Sequence, residues 1–167
     1  QLRAESAFSE LKLRATGGAT PADRVFLQSV QARLREAGAT DSVHIDREFQ
    51  TLPHPDFFDG LSVMSTPVRG GEAFGMPLIE AMARGIPVVQ PNVGSYPEIL
   101  AEGGGVLYDP AEDGGLADAL RSVLSNPEYA RDLGCQGREV VLRRFTVDRT
   151  AREMISIYES VAGRLLP

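Results

Sequence analysis

The segment best suited to chemistry is short: Glu72, then Phe74-Gly75-Met76-Pro77, then Glu80. Pro77 suits the first position of a helix, because the N–H it lacks is one that a helix N-terminus leaves unpaired. The N–H groups of Gly75, Met76 and Leu78 then sit at or near that terminus, unused by the helix and at the positive end of its dipole. Such a turn binds a phosphate or diphosphate. A carboxylate is an acceptor with several lone pairs and grips vicinal hydroxyls. Glu72 in the loop and Glu80 in the first turn of the helix can therefore hold two polyol groups with a diphosphate between them. Sugar, diphosphate and ribose in that order is the layout of a nucleotide sugar. Spacing alone leaves plainer roles open. Glu80 and Arg84 are four apart and can form a surface ion pair. Glu72 can be a solvated loop acid, and Phe74 reads more readily as a packing anchor than as a ring stacked on a base.

Short β-branched runs alternating with longer helical patterns must position this segment. Strands are expected at residues 11–15, 43–45, 61–65, 87–90 and 106–108. Thr20-Pro21-Ala22-Asp23 opens a helix that carries Val25, Phe26, Val30 and Leu34 and stops at Gly38. A helix over residues 77–84 ends at Gly85. Ser95-Tyr96-Pro97-Glu98 reads as a capping box, which accounts for Glu98 without chemistry. Three helices close the chain: residues 116–124, one opened by Asn126-Pro127, and one opened by Thr146. The last carries Ala151, Met154, Ile155, Tyr158 and Val161 on one face and reads as a packing element. The alternation predicts an α/β fold, a Rossmann-like open parallel sheet with helices on both faces. A complete sheet of this type has six strands, so the first is expected to be missing upstream. In a parallel sheet the loop before Pro77 lies at the carboxyl end of the strands, where ligands bind.

Composition narrows the function classes. The chain of 167 residues is about one domain's worth, with 43% apolar and 24% charged residues, as in ordinary globular proteins. Its net charge of −6 argues against a nucleic-acid partner. The longest uncharged stretch, residues 85–97, is broken by three prolines, so no membrane span is expected. Cys135 is the single cysteine, which excludes an intrachain disulfide and fits a cytoplasmic protein. His44 reads as a structural strand residue, and His54 lies in a loop between prolines. Neither belongs to a cluster with metal-ligand spacing. Gly17-Gly18-Ala19-Thr20 lacks the Lys-Ser/Thr of a P-loop and reads as a strand-to-helix turn.

The phrase Glu72-Ala73-Phe74-Gly75-Met76-Pro77-Leu78-Ile79-Glu80-Ala81-Met82-Ala83, followed by Gly85-Ile86-Pro87-Val88-Val89 and Gly94-Ser95-Tyr96-Pro97-Glu98-Ile99, resembles the C-terminal domain of family 4 (group 1) glycosyltransferases. The similarity runs over residues 11–161. It implies one half of a GT-B enzyme, which has two Rossmann-like domains with the active site between them. The implied activity is retaining and metal-independent: transfer of a sugar from a nucleotide diphosphate sugar to a hydroxyl acceptor, with no cofactor. By the resemblance, Glu72 is the catalytic-site glutamate that contacts the donor sugar near the reacting carbon, and Glu80 holds the ribose. The Phe74-Gly75-Met76 turn contacts sugar or diphosphate. Asp46, Arg47, Glu48 and Phe49 are the candidate contacts to the base. Two departures stand out. Ala73 replaces the commoner glycine, and the family's Arg and Lys after its first strand have no counterpart, since Arg3 and Lys12 lie in another context. The chain is therefore expected to be a single C-terminal nucleotide-sugar-binding domain, lacking its acceptor-binding N-terminal partner domain and inactive alone. An exposed cleft or broken sheet edge gives such a half-enzyme a route to homo-oligomers. The full enzyme is expected to be cytoplasmic or peripheral at a membrane. A non-catalytic nucleotide-sugar-binding module and another GT-B-like enzyme, such as a nucleotide-sugar epimerase, are the alternatives.

Overall fold

The computed structural model describes residues 1–46, 54–68 and 70–165. The chain divides into two compact units, Gln1–Asp59 and Gly60–Pro167. Both are built on parallel strands with helical connections, so the expected α/β class holds.

In the first unit, 3₁₀ turns at Leu2–Ala4 and Ser6–Phe8 precede strand β1 (Leu13–Thr16). A 3₁₀ turn at Pro21–Asp23 runs into helix α1 (Arg24–Glu36), followed by β2 (Val43–Asp46) and α2 (His54–Phe58). β1 and β2 pair in parallel, with Ala15 opposite Ile45 and Thr16 opposite Asp46. The start of α1 works as its sequence suggests. The Asp23 carboxylate accepts from the Thr20 backbone N–H at 2.8 Å and from the Thr20 hydroxyl at 2.7 Å. Those bonds hold the Asp23 carboxyl below the usual carboxylate range, the backbone bond most of all. Val25 and Phe26, the apolar residues that open the helical spacing, are exposed, and α1 has no buried residue.

In the second unit the elements are α3 (Met76–Ala83), β3 (Val88–Pro91), α4 (Tyr96–Ile99), β4 (Gly105–Tyr108), α5 (Gly115–Leu124), α6 (Pro127–Arg144) and α7 (Val147–Leu165). β3 and β4 are parallel, with Val89 opposite Val106. The strand expected over residues 61–65 shrinks to one parallel bridge, Met64 to Val88, with Met64 N–H donating to Pro87 O and Val89 N–H to Met64 O. Apolar alternation marked a segment beside the sheet, but only one residue of it pairs.

The core of this unit lies between β3, α5 and α6. Val89, Ala119, Val123 and Leu133 are buried together, with Val106, Tyr108, Leu116 and Leu120 against them. Each large aliphatic buried there contributes about 1.5–3 kcal/mol. Helix α6 reaches its neighbours through two glycines. A Cβ on Gly134 would meet the Gly85 carbonyl oxygen at 2.1 Å, and one on Gly137 would meet Gly104 Cα at 3.1 Å. Asn126 caps α6, its side chain accepting from Tyr129 N–H at 3.1 Å. Helix α7 starts at Thr146, whose hydroxyl accepts from Arg149 N–H at 3.3 Å. Among the described residues the expected packing role of α7 is not met: Met154, Ile155, Tyr158 and Val161 are all exposed. Among the described residues no helix is long and apolar enough to cross a membrane.

Candidate functional site

Helix α3 carries Glu80, and its two ends explain why it forms there. Gly75 is the N-cap, in the left-handed region at φ 68°, a conformation that costs any residue with a Cβ. Met76 rather than Pro77 takes the first helical position, so Glu80 falls in the second turn, one step beyond the expected place. At the other end Gly85 at φ 74° closes a Schellman motif, with Ile86 N–H donating to Ala81 O and Gly85 N–H to Met82 O. Leu78, Ala81 and Met82 face inward and are buried, which anchors the helix.

The expected anion turn is present in reduced form. Leu78 N–H donates to Gly75 O at 3.0 Å and is not free. Among the described residues the N–H groups of Gly75 and Met76 have no acceptor, so two amides point off the helix terminus. Phe74 is 75% exposed and Met76 is 48% exposed. Phe74 is thus not a packing anchor: it stands at the turn with an open ring face.

Glu72 is gripped by the loop that follows β3. Ser95 N–H donates to Glu72 O at 3.0 Å. The two loops touch backbone to backbone, since a Cβ on Gly71 would lie 2.7 Å from Gly94 Cα and one on Gly94 would lie 2.8 Å from Glu72 N. The Tyr96 hydroxyl is 3.3 Å from Glu72 Oε2 and donates to it. The same hydroxyl is 3.1 Å from Thr66 Oγ1 and 3.2 Å from Thr66 O. Gln90 Oε1 in turn accepts from Thr66 N–H at 3.1 Å and Thr66 Oγ1 at 3.0 Å. Tyr96 and Gln90 are fully buried. Burial lifts the Tyr96 phenol above its ordinary value, and the Glu72 carboxylate adds to the rise, so Tyr96 remains a proton donor. Around this network Ser65 Oγ, Gln90 Nε2 and Ser95 Oγ are buried with no partner among the described residues.

Thr66, Gln90 and Tyr96 escaped the sequence reading. The capping box read at Ser95 does not form, since the Ser95 side chain makes no cap bond and Glu98 is exposed. That reading hid Tyr96, the next residue. Gln90 did leave a trace, as the one amide in a strand that is buried at every position. A buried amide implies a hydrogen-bond network.

Glu80 is half-buried, and Arg84 Nη1 donates to its backbone carbonyl at 3.1 Å. Of the candidate base contacts, Arg47, Glu48 and Phe49 lie outside the described residues. Asp46 ends β2 in the first unit and is already engaged. Its carboxylate takes Arg14 Nε at 3.2 Å and His44 Nε2 at 2.8 Å. The His44 bond is the main cause holding the Asp46 carboxyl below its usual range. Among the described residues no cluster of His, Cys, Asp or Glu could hold a metal ion.

The decisive comparison is with protein families. Residues 7–140 match the sequence profile of glycosyl transferases group 1. The chain belongs to that family. A phosphatidyl-myo-inositol mannosyltransferase from Mycobacterium leprae is 37% identical over 101 residues, covering 60% of this chain and 27% of that protein. The chain spans only about a fifth to two fifths of the curated relatives it matches, 22%, 41% and 27% for three of them. Among solved structures, a sucrose-phosphate synthase from Thermosynechococcus elongatus superposes with a TM-score of 0.77 at 28% identity, covering 92% of this chain and 39% of that one. Anabaena HepE, solved in complex with UDP-glucose, superposes at 0.79 with 17% identity, over 92% of this chain and 43% of that one, and shows the fold alone. The fold of this group 1 chain is that of a GT-B C-terminal domain.

Proposed function

We propose that this chain is the donor-binding half of a retaining, metal-independent glycosyltransferase that moves a sugar from a nucleotide diphosphate sugar to a hydroxyl acceptor. The observation that carries this reading is the pairing, on one loop and helix, of a clamped Glu72 with two unpaired N–H groups and Glu80. Glu72 is fixed through its backbone carbonyl and its side chain. The N–H groups of Gly75 and Met76 meet the negative charge that builds on the diphosphate as its bond to the sugar breaks. Glu80, one full helical turn further on, accepts from the ribose hydroxyls. That the HepE structure holds UDP-glucose supports this class of donor. An acceptor must be held in register with the donor for transfer. We assign that task to an N-terminal domain outside this sequence.

Two substitutions test the assignment. A hydrogen bond to a charged group contributes about 1.5–3 kcal/mol, so losing one weakens binding roughly 10- to 100-fold. Glu80→Ala is expected to weaken nucleotide and nucleotide sugar alike by about that factor. Glu72→Ala is expected to weaken the nucleotide sugar alone, leaving the free nucleotide within about twofold. Calorimetric titration of both variants reads this directly. Equal losses of free nucleotide in the two variants would overturn the division of labour.

A further inference from the structure

We propose that Tyr96 is a positioning residue for Glu72, its buried phenol taking one oxygen of the carboxylate and leaving the other as the acceptor for the donor sugar's hydroxyls. The inference rests on the donor-site reading above and adds to it a residue outside the Glu72 to Glu80 segment.

The protons of this network can be placed one by one. Gln90 Oε1 only accepts, and it takes the Thr66 N–H at 3.1 Å and the Thr66 hydroxyl at 3.0 Å. Its amide cannot be turned over, because Nε2 would then face the Thr66 N–H, donor against donor. With its proton on Gln90, Thr66 Oγ1 offers only lone pairs. The Thr66 carbonyl already accepts Val68 N–H at 2.8 Å. The single phenolic proton of Tyr96 is left with three acceptors: Thr66 Oγ1 at 3.1 Å, Thr66 O at 3.2 Å and Glu72 Oε2 at 3.3 Å. Only the carboxylate is charged, and a charge-assisted bond is about twice as strong as a neutral one. Charge favours Glu72 Oε2 as its acceptor, although that contact is the longest of the three. Among the described residues Glu72 Oε1 has no partner.

Tyr96 is held rigidly enough to fix a second group. Its ring is fully buried, it opens α4, and the residue before it donates to the Glu72 carbonyl at 3.0 Å. The loop after β3 thus holds Glu72 at two points, one on the backbone and one on the carboxylate. Fixing the rotamer before the ligand arrives saves that ordering cost at binding. The saving applies to the sugar and not to the rest of the donor.

The test is a double-mutant cycle on Tyr96 and Glu72, read by calorimetry with UDP-glucose, GDP-mannose and ADP-glucose against UDP, GDP and ADP. Tyr96→Phe keeps the ring and its packing. It is expected to weaken whichever nucleotide sugar binds by about tenfold and to leave the matching free nucleotide within about twofold. In a Glu72→Ala background Tyr96→Phe is expected to cost no more than about twofold, because its target is gone. A merely structural tyrosine would lose sugar and free nucleotide together, and equally in both backgrounds. That outcome, or Tyr96→Phe binding the sugar donor as tightly as the parent, overturns the role of Tyr96 while leaving the donor site in place. A parent chain that binds none of the six ligands overturns the donor-site reading and this role with it.

Discussion

At the scale of single residues, the proposed donor site rests on Gly75 as well as on the two glutamates. Its φ of 68° aims the Gly75 and Met76 amides off the start of α3, and a Cβ there would lie 2.7 Å from Ile99 Cδ1. Left-handed backbone costs a residue with a Cβ about 1–2 kcal/mol, and the clash adds to it. Gly75→Ala is therefore expected to destabilise the protein by about 1–3 kcal/mol and to weaken nucleotide diphosphate binding, both measurable on one preparation by denaturant melts and calorimetry. An unchanged affinity would separate this turn from the phosphates. The proposed contacts Glu72, Gly75, Met76 and Glu80 can be picked out in the sequence because they lie within nine residues of one loop and helix. Tyr96, Thr66 and Gln90 were not, because they meet each other and Glu72 across 24 to 30 residues of chain. Phe74 departs from the expected packing role because an aromatic beside a helix start usually packs, whereas this one is largely exposed.

At the scale of elements, glycines set how closely α6 approaches the rest of its unit. Gly134→Ala puts a methyl 2.1 Å from the Gly85 carbonyl oxygen, which also sits at the C-terminal turn of α3. The helix must move away, at about 1–3 kcal/mol for overpacking. Gly163, in α7, has nothing within 4 Å of such a methyl. There Gly→Ala gains about 0.5–1 kcal/mol of helix propensity. The pair is expected to shift the denaturant midpoint in opposite directions, and a parallel shift would show that α6 does not pack as described. Helices were the most legible elements. Asn126-Pro127, Thr146 and Gly85 mark their ends by local chemistry, and those marks hold. The strand over residues 61–65 was less legible, because pairing depends on a neighbour distant in sequence, and only Met64 finds one. The apolar stripe of α7 is legible as a stripe, but its residues Met154, Ile155, Tyr158 and Val161 stay exposed rather than packed.

At the scale of the whole molecule, the ionisable groups bound the pH range of stability. Tyr96 and Tyr108 have phenols raised by burial, so folding tightens their hold on the proton. Their contribution is complete below the ordinary phenol value of about 10 and is lost as pH rises through the raised values. Asp23 and Asp46 are lowered, so theirs is complete above the usual carboxylate value and is lost as pH falls through the depressed ones. Urea midpoints are expected to fall at both extremes, and Tyr108→Phe is expected to flatten the alkaline limb. An alkaline limb unchanged by Tyr108→Phe would deny that phenol its part. Family membership was legible in the phrase around Glu72 and Glu80, and it covers most of the chain. The central claim is that this chain carries its own donor site. It is tested most directly by NMR titration of the isotope-labelled chain with UDP-glucose, GDP-mannose and ADP-glucose. The account predicts that one of them shifts the amide resonances of Gly71 to Glu80 together with Ser95 and Tyr96. No shift with any of the three at millimolar concentration, or shifts confined to other parts of the chain, would contradict it.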